Sequence, residues 1–281
     1  MKIISSSYSK NLTFSICKYL NLSPLKIEIK QFSSGEYLVT VPHTINEDED
    51  VVIIGSMAPS TNDSLMEILA IADAAVSAGG KNLTLVSPYL GFSRQDSRIA
   101  PYSSLGIGIL AKLLKVSRIN RLITVDLHSV ESLKLFTIPV VNISAMEIFA
   151  HYIQNISSNI TLVAPDCGSA VRLKDIGQNV VTIRKIRAKG KIYMELDGNV
   201  QGQDCFIIDD IFDSGNTMTA AMRCLKNCGA KSVIGYVTHF LSTKPSRIPL
   251  YITDSVDVNA AHNNFIEVFS LAPIISRVLT K

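Results

Sequence analysis

The residues best suited to chemistry form one short run, from Cys205 to Thr217. An apolar stretch ends there in two acids, Asp209 and Asp210, and small polar residues follow before a helix that is predicted to begin at about Thr217. Backbone N–H groups converge in such a loop, and the start of a helix adds unpaired donors and a partial positive charge. The run therefore predicts a phosphate-binding loop.

The side chains of this run suit a phosphorylated sugar. The residues expected to hold it are Asp209, Asp210, Asp213, Ser214, Gly215, Asn216 and Thr217. Hydroxyl groups can donate to phosphate oxygens, and glycine lets the backbone approach closely. The two adjacent acids would repel a phosphate, so vicinal sugar hydroxyls or Mg²⁺ are better partners for them. An ordinary strand-to-helix turn with an acidic cap is the plainer alternative.

Short apolar runs alternate with amphipathic stretches along the chain. The predicted buried strands are 51–55, 82–87, 121–126, 161–164, 205–209 and 232–238, and the predicted helices include 64–78, 105–115, 145–155 and 217–228. Strands separated by helices favour an α/β fold with a parallel sheet, because parallel strands need a crossover connection between them.

One segment recurs in the sequence: residues 78–90 resemble residues 228–241. In both, a glycine at the end of a predicted helix is followed by a lysine and then by an apolar strand. We infer two related α/β domains, residues 1–142 and residues 143–270. Chance similarity between two ordinary βαβ units is the alternative.

The loop closely resembles the phosphoribosyl-diphosphate signature shared by phosphoribosyltransferases and ribose-phosphate diphosphokinases. Four further segments resemble the diphosphokinase family and occur in its order, namely 32–36, 88–96, 126–128 and 164–166. Simple phosphoribosyltransferases carry one such domain and lack the first three. The resemblance covers nearly the whole chain, and the modest length together with residues 126–133 is more similar to the short archaeal-type members.

This resemblance implies a magnesium-dependent enzyme that transfers the diphosphoryl group of ATP to ribose 5-phosphate. It implies an α/β protein of two similar domains with the type I phosphoribosyltransferase-like fold, each a mainly parallel sheet flanked by helices. The first domain would bind ATP, with the amphipathic tail 271–281 packed back on it, and the second would bind ribose 5-phosphate. Family members assemble as homodimers or larger homo-oligomers, which we also expect here.

The resemblance also assigns site residues outside the loop. The residues expected to bind ATP are Phe32, Ser34, Gly35, Glu36, Arg94, Gln95 and Asp96. Ser34 stands where the family usually has aspartate, a departure within the expected adenine contact. His128 and Asp166 are assigned to Mg²⁺, and histidine is a softer ligand than Mg²⁺ usually takes.

Five cations fall within residues 184–191. They fit either the solvated face of a β-hairpin or a mobile flap that closes over phosphates. The family has a Lys-Arg-Arg run here, which Lys185 and Arg187 match at the first and third positions, while Ile186 replaces the middle arginine. The resemblance makes Lys185 and Arg187 catalytic, and Arg187 also a ribose 5-phosphate contact.

The composition of the chain argues against several other classes of protein. With 47% hydrophobic and 18% charged residues, the 281-residue chain has ample material for a core. A net charge of +3, without a run of five consecutive lysines or arginines, argues against nucleic acid. No apolar run suggests a membrane span or a secretory signal, and five cysteines without C-x-x-C spacing favour a reduced, cytoplasmic protein. A non-catalytic regulatory homologue and a phosphoribosyltransferase remain the alternative functions.

Overall fold

A computed structural model divides the chain into two compact units. The first comprises Met1–Ser144, Ser255–Asp257 and Ser270–Lys281, and the second Ala145–Asp254 and Val258–Phe269. The structure describes residues 1–154, 160–166, 169–170, 173, 179–188, 191–257 and 265–281, without the side chains of 185–188, 191–193 and 265.

The first unit is built on a five-stranded parallel sheet in the order β1-β4-β5-β6-β7. A separate antiparallel hairpin, β2-β3, lies between β1 and β4 in the sequence. The strands are β1 Lys2–Ser5, β2 Glu28–Gln31, β3 Tyr37–Thr40, β4 Asp50–Ile54, β5 Asn82–Ser87, β6 Ile119–Val125 and β7 Val140–Ile143. The helices are α1 Lys10–Leu20, α2 Thr61–Ser77 and α3 Gly106–Val116, with a 3₁₀ turn at Val130–Leu135 and the C-terminal helix α6 Ala272–Leu279.

The central strands of this unit are buried on both faces. Residues 51–54 of β4 are all buried, as expected when helices cover both sides of a parallel sheet. The apolar side of α2 supplies Ile68, Ile71, Ala72 and Ala75 to this core. At the C-terminus, α6 packs against α1 through a buried face that includes Ile274 and Ile275.

The second unit contains a seven-stranded sheet in the order β10-β9-β8-β11-β12-β13-β14. Only the β9-β10 pair is antiparallel. The strands are β8 Ile160–Ala164, β9 Val180–Ala188, β10 Lys191–Asp197, β11 Asp204–Phe212, β12 Ser232–Phe240, β13 Leu250–Thr253 and β14 Phe265–Phe269. The helices α4 Met146–Ile153 and α5 Asn216–Asn227 belong to this unit.

The two units share one topology. Without its hairpin, the second sheet has the order β8-β11-β12-β13-β14, which repeats β1-β4-β5-β6-β7 of the first sheet strand for strand. In each unit an antiparallel hairpin is inserted after the first strand, β2-β3 in one and β9-β10 in the other. The shared order confirms the prediction of two similar α/β domains and argues against a chance repeat.

The predicted strands and helices are confirmed, with shifts at their ends. The recurring segments are the α2-β5 and α5-β12 steps, and the glycines that follow these helices, Gly79 and Gly229, both have positive φ. A side chain at Gly79 would place its Cβ 2.4 Å from the Ile45 carbonyl oxygen, so glycine is required there. Within the described residues, no helix has the length and apolarity needed to cross a bilayer.

A buried acid of the first unit, Glu67, lies beside the carboxyl end of β1. Glu67 on α2 is 1% exposed, and its Oε1 accepts a hydrogen bond from the Ser7 N–H at 2.5 Å. Its Oε2 and the hydroxyls of Ser6 and Ser64 are buried with no hydrogen-bond partner among the described residues. Burial is the main cause of the raised pKa of Glu67, against the lowering effect of the Ser7 hydrogen bond.

We expect Glu67→Gln to stabilise the protein at neutral pH, because the amide keeps an acceptor for Ser7 and removes a buried charge. A raised folded-state pKa means that the contribution of Glu67 to stability is complete at acid pH and is lost as the pH rises through that pKa. The gain of Glu67→Gln should therefore be larger at pH 7.5 than at pH 4.5 in thermal unfolding. Glu28→Gln, at an exposed position, is the control. A loss of stability at pH 7.5 would contradict the assignment.

Candidate active site

The central strand of the second unit carries the acid pair. β11 is buried from Cys205 to Ile208 and continues through Asp209 and Asp210 as far as Phe212, so the strand predicted to end at 209 is three residues longer. It is held there because Phe212 pairs with Phe240 of β12 and their rings stack with centroids 5.0 Å apart. Asp209 is half-buried and Asp210 is 5% exposed. The acid pair therefore lies on a fixed strand rather than in a loop.

The phosphate loop turns at one glycine. Gly215 has φ +72 and precedes α5, which begins at Asn216 rather than at Thr217. A Cβ built on Gly215 would lie 2.5 Å from Cζ of Phe212, so both the backbone conformation and the neighbouring ring require glycine. Asp213, Ser214 and Asn216 are exposed, and Thr217 is half-buried. The loop thus places its polar groups and the start of a helix at the surface, as an anion site requires.

Ser169 joins two of the predicted acids. Its N–H and Oγ donate to Asp166 Oδ1 at 2.9 and 3.0 Å, and its Oγ also lies 3.5 Å from Asp209 Oδ1. Asp209 Oδ1 in turn accepts the N–H of Asp210 at 3.0 Å. The carboxylates that follow β8 and end the buried part of β11 are therefore neighbours. Ser169 was not predicted from the sequence; the available signal was Asp166, because aspartate is a preferred N-cap residue that accepts a backbone N–H two or three residues later.

These carboxylates have the donor chemistry that Mg²⁺ prefers, since hard oxygen ligands bind it best. Both contacts from Ser169 to Asp166 use Oδ1, which leaves Oδ2 as the oxygen that could meet an ion or its water. The described residues contain no group of three acids, histidines or cysteines close enough to hold a metal. A magnesium ion here would thus take further ligands from water or substrate oxygens, as Mg²⁺ commonly does.

The segment expected to contact adenine forms the tip of the hairpin β2-β3. The tip is closed by hydrogen bonds from Gly35 N to Phe32 O at 2.8 Å and from Phe32 N to Glu36 O at 2.9 Å, and Gly35 has φ +92. Ser34 Oγ donates to Glu36 Oε2 at 2.6 Å. The Phe32 ring is 42% exposed, and Lys30 Nζ lies 4.9 Å from its centroid. The hairpin therefore presents an aromatic ring and polar groups to the surface.

The other residues of the first unit that were predicted to bind ATP or metal lie in the connections that follow two adjacent strands. Residues 94–96 follow β5, and His128 follows β6, at the shared carboxyl edge of the parallel sheet. The end of β6 touches the connection after β5, because the N–H of Val125 donates to the carbonyl oxygen of Pro88 at 3.2 Å. Arg94, Gln95 and His128 are exposed, Asp96 is half-buried, and Gln95 packs over Gly106 at the start of α3. The structure thus brings Arg94 and His128 to one edge of the sheet.

The cationic segment is a β-hairpin formed by β9 and β10. Arg184 forms an ion pair with Asp197 across the hairpin at 2.5 Å, so its charge is already balanced by a carboxylate of the protein. Lys185 and Arg187 lie on β9, opposite Met194 and Ile192, but their side chains lie outside the described residues. Their catalytic role therefore stays a prediction.

We expect Gly215→Ala to destabilise the protein by about 1–3 kcal/mol, because alanine is strained at this φ and its methyl group would strike Phe212. Gly202→Ala is a matched control, since Gly202 has φ +70 and a Cβ there would meet nothing within 4 Å. Urea unfolding of both variants separates the cost of the backbone from that of the ring contact. Equal losses would mean that Phe212 does not restrict the loop.

Comparison with known proteins covers both units. Residues 1–117 match the model of the N-terminal domain of ribose phosphate pyrophosphokinase, and residues 134–273 match the phosphoribosyl transferase domain. The chain is similar in structure to the phosphoribosylpyrophosphate synthetase from Mycobacterium smegmatis, with a TM-score of 0.90 over 99% of this chain and 97% of that one. At 23% identity this likeness supports the fold, which confirms the predicted fold class.

Curated relatives extend the likeness to sequence. The ribose-phosphate pyrophosphokinase of Agrobacterium fabrum is 33% identical, with 100% of this chain and 96% of that protein covered. That of Helicobacter hepaticus is 34% identical, with 100% and 95% covered. Both relatives are bacterial, so the greater similarity to short archaeal-type members stays a prediction. The match over both domains at this identity shows that the chain belongs to the ribose-phosphate pyrophosphokinase family.

Proposed function

We propose that the chain performs the family reaction with the residues described above, forming phosphoribosyl diphosphate and AMP from ribose 5-phosphate and ATP. The observation that carries this assignment is the continuous segment in which Asp209 and Asp210 lie on a fixed strand that ends at Phe212, and Gly215 immediately precedes α5. The acids would hold the ring hydroxyls and the loop the 5-phosphate. One rigid segment would thereby fix both ends of the sugar.

The reaction needs alignment and charge neutralisation more than covalent help from the protein. The anomeric oxygen would bond to the β-phosphorus of ATP while the bond from that phosphorus to the oxygen of the α-phosphate breaks, and AMP leaves. Holding both reactants in place can lower the barrier by about 7–11 kcal/mol. Residues 209–217 would supply this alignment for the sugar.

The register of the sheet supports the catalytic assignment of the flap. Thr182 of β9 pairs with Ala164, and Ile207 of β11 pairs with Val163, so β9 passes the level of Asp209 near Ile183. Lys185 lies two residues further along, which corresponds to about 7 Å of strand. Its backbone thus rises past the edge where Asp166 and Asp209 lie. A lysine there would reach phosphate oxygens once the hairpin bends over the loop.

Magnesium fits the proposal through Asp166 and through His128, each of which would hold an ion directly or through water. When bound, Mg²⁺ neutralises charge on the phosphate oxygens of ATP. The carboxylate oxygens of Asp166 and the exposed position of His128 support the assignment.

ATP would bind through the first unit, with Phe32, Ser34, Gly35 and Glu36 at the base and residues 94–96 at the phosphates. Lys30 already covers one face of the Phe32 ring, so the adenine would stack on the other. Arginine can bind phosphate oxygens in a fork, which suits Arg94. We also propose, on the family resemblance, a cytoplasmic homodimer or larger homo-oligomer, which light scattering would test.

The two alternative functions, a phosphoribosyltransferase and a regulatory homologue, predict different domain content and different assay results. A single-domain phosphoribosyltransferase would lack the N-terminal domain that residues 1–117 match. A regulatory homologue would bind the same ligands without turnover. Incubation with ribose 5-phosphate, ATP and Mg²⁺ should produce AMP and phosphoribosyl diphosphate in equal amounts. Binding without any AMP would favour the regulatory homologue.

Lys185→Ala is expected to lower turnover at least about 100-fold, because a cation that acts mainly in the transition state is comparable to an oxyanion-hole donor. The melting temperature should change little. Arg184→Ala is the matched control, because Arg184 lies on β9 next to Lys185 and the change breaks only its exposed ion pair with Asp197. This variant should keep most of the activity. More than half of the wild-type turnover in Lys185→Ala would refute its catalytic role.

A further inference from the structure

The second unit contains a large cleft that the proposed reaction does not fully use. It has a volume of about 1060 Å³ and lies between the first turns of α5 and residues 241–247, which follow β12. Residues 213–216 of the phosphate loop form one wall, whereas Asp209 and Asp210 are not among the residues that line it. A volume of this size suits a small ligand. The cleft therefore adjoins the proposed sugar site but is not identical to it.

Its charge is strongly positive. Arg223, Lys244 and Arg247 line the cleft, and Asp213 is the one acid among its lining residues, all of which the structure describes. None of the three cations makes an ion pair with a carboxylate of the described residues. Three cations that line one cleft without such a pair do not stabilise the fold through ion pairing, so their charge is available to a ligand.

The two walls hold these cations in place in different ways. On α5, Asn216, Thr219, Ala220 and Arg223 share one face, while Met218, Ala221 and Leu225 on the opposite face are buried in the core. Arg223 is thus fixed to a packed helix, and the small Ala220 leaves room beside it.

The opposite wall is stiffened by two serine turns. Ser242 Oγ accepts the N–H of Lys244 and donates to its carbonyl oxygen, both at 3.1 Å. Ser246, which is 3% exposed, accepts the N–H of Ile248 at 3.0 Å and donates to its carbonyl oxygen at 2.7 Å. These turns bracket Lys244 and Arg247. The segment is therefore preorganised to present two cations, which lowers the cost of binding an anion.

We propose that this cleft binds a second phosphate-bearing anion while the loop 213–217 holds the 5-phosphate of the sugar. The simultaneous occupation rests on the proposed function, whereas the anion site rests on the cleft alone. The loop can satisfy one phosphate with backbone N–H groups, and the three cations match further negative charge. Exposed hydroxyls and guanidinium groups at the walls favour phosphate oxygens over an apolar ligand.

Calorimetric titration with inorganic phosphate at low ionic strength, with saturating ribose 5-phosphate, tests the proposal. Wild-type protein should still bind phosphate, and Lys244→Gln/Arg247→Gln should bind it about 10- to 100-fold more weakly, since each lost contact is charge-assisted. Arg223→Gln, on the opposite wall, should weaken it in the same direction. The affinity for ribose 5-phosphate should change little in these variants. Pyrophosphate in a second titration asks whether the cleft takes one phosphate or two.

Lys112→Gln/Lys226→Gln is the control, because it removes the same charge from exposed positions outside the cleft. Three results would overturn the proposal: phosphate displaced by ribose 5-phosphate in the wild-type protein, an unchanged affinity in Lys244→Gln/Arg247→Gln, or an equal loss in the control. If ribose 5-phosphate itself does not bind, the sugar assignment fails, and the same variants titrated without sugar still decide whether the cleft binds an anion.

Discussion

Parallel strands joined by crossovers bring all their carboxyl ends to one edge of a sheet, and this constraint determines where chemistry can occur in both units. In the second unit it places Asp166, after β8, beside Asp209 on β11, close enough for Ser169 to contact both. In the first unit it brings the segment after β5 to the carboxyl end of β6. The apolar strands underneath fix these positions, so the polar edge can be rebuilt by changing only the loops.

The repeated topology suggests how one architecture serves two substrates. Each unit inserts a hairpin after its first strand, and the two hairpins differ in chemistry, with Phe32 at the tip of one and the cationic run on the other. The edges differ as well. The second unit has an exposed loop next to the half-buried Asp209 and the buried Asp210. The corresponding edge of the first unit contains the buried Glu67 and a hydroxyl of Ser56 that donates to Ser255 O at 2.5 Å. Such a filled edge would suit the proposed binding of ATP through the hairpin tip and the loops of this unit.

Sequence reasoning predicted the elements that depend on local patterns. Central strands read as apolar runs because both of their faces are buried, and Gly215 was identified because glycine lets the backbone approach a ligand closely. The positive φ of Gly215 is a finding of the structure. The extension of β11 to Phe212 was missed, because stacking on Phe240 depends on a partner 28 residues away. Ser169 was missed for a similar reason, since its contact with Asp209 joins two distant segments. The cleft cations Lys244 and Arg247 formed no recognisable motif, and only the fold brings them to Arg223.

The central claim is that residues 213–217 receive the phosphate of the sugar. Amide hydrogen exchange measured with and without ribose 5-phosphate tests it most directly, because Asp213, Ser214 and Asn216 are exposed and their N–H groups would become donors to the bound phosphate. The account predicts slower exchange at 213–217 when ribose 5-phosphate is added, with little change at the exposed turn around Gly202. Saturating ribose 5-phosphate that leaves exchange at 213–217 unchanged would contradict it.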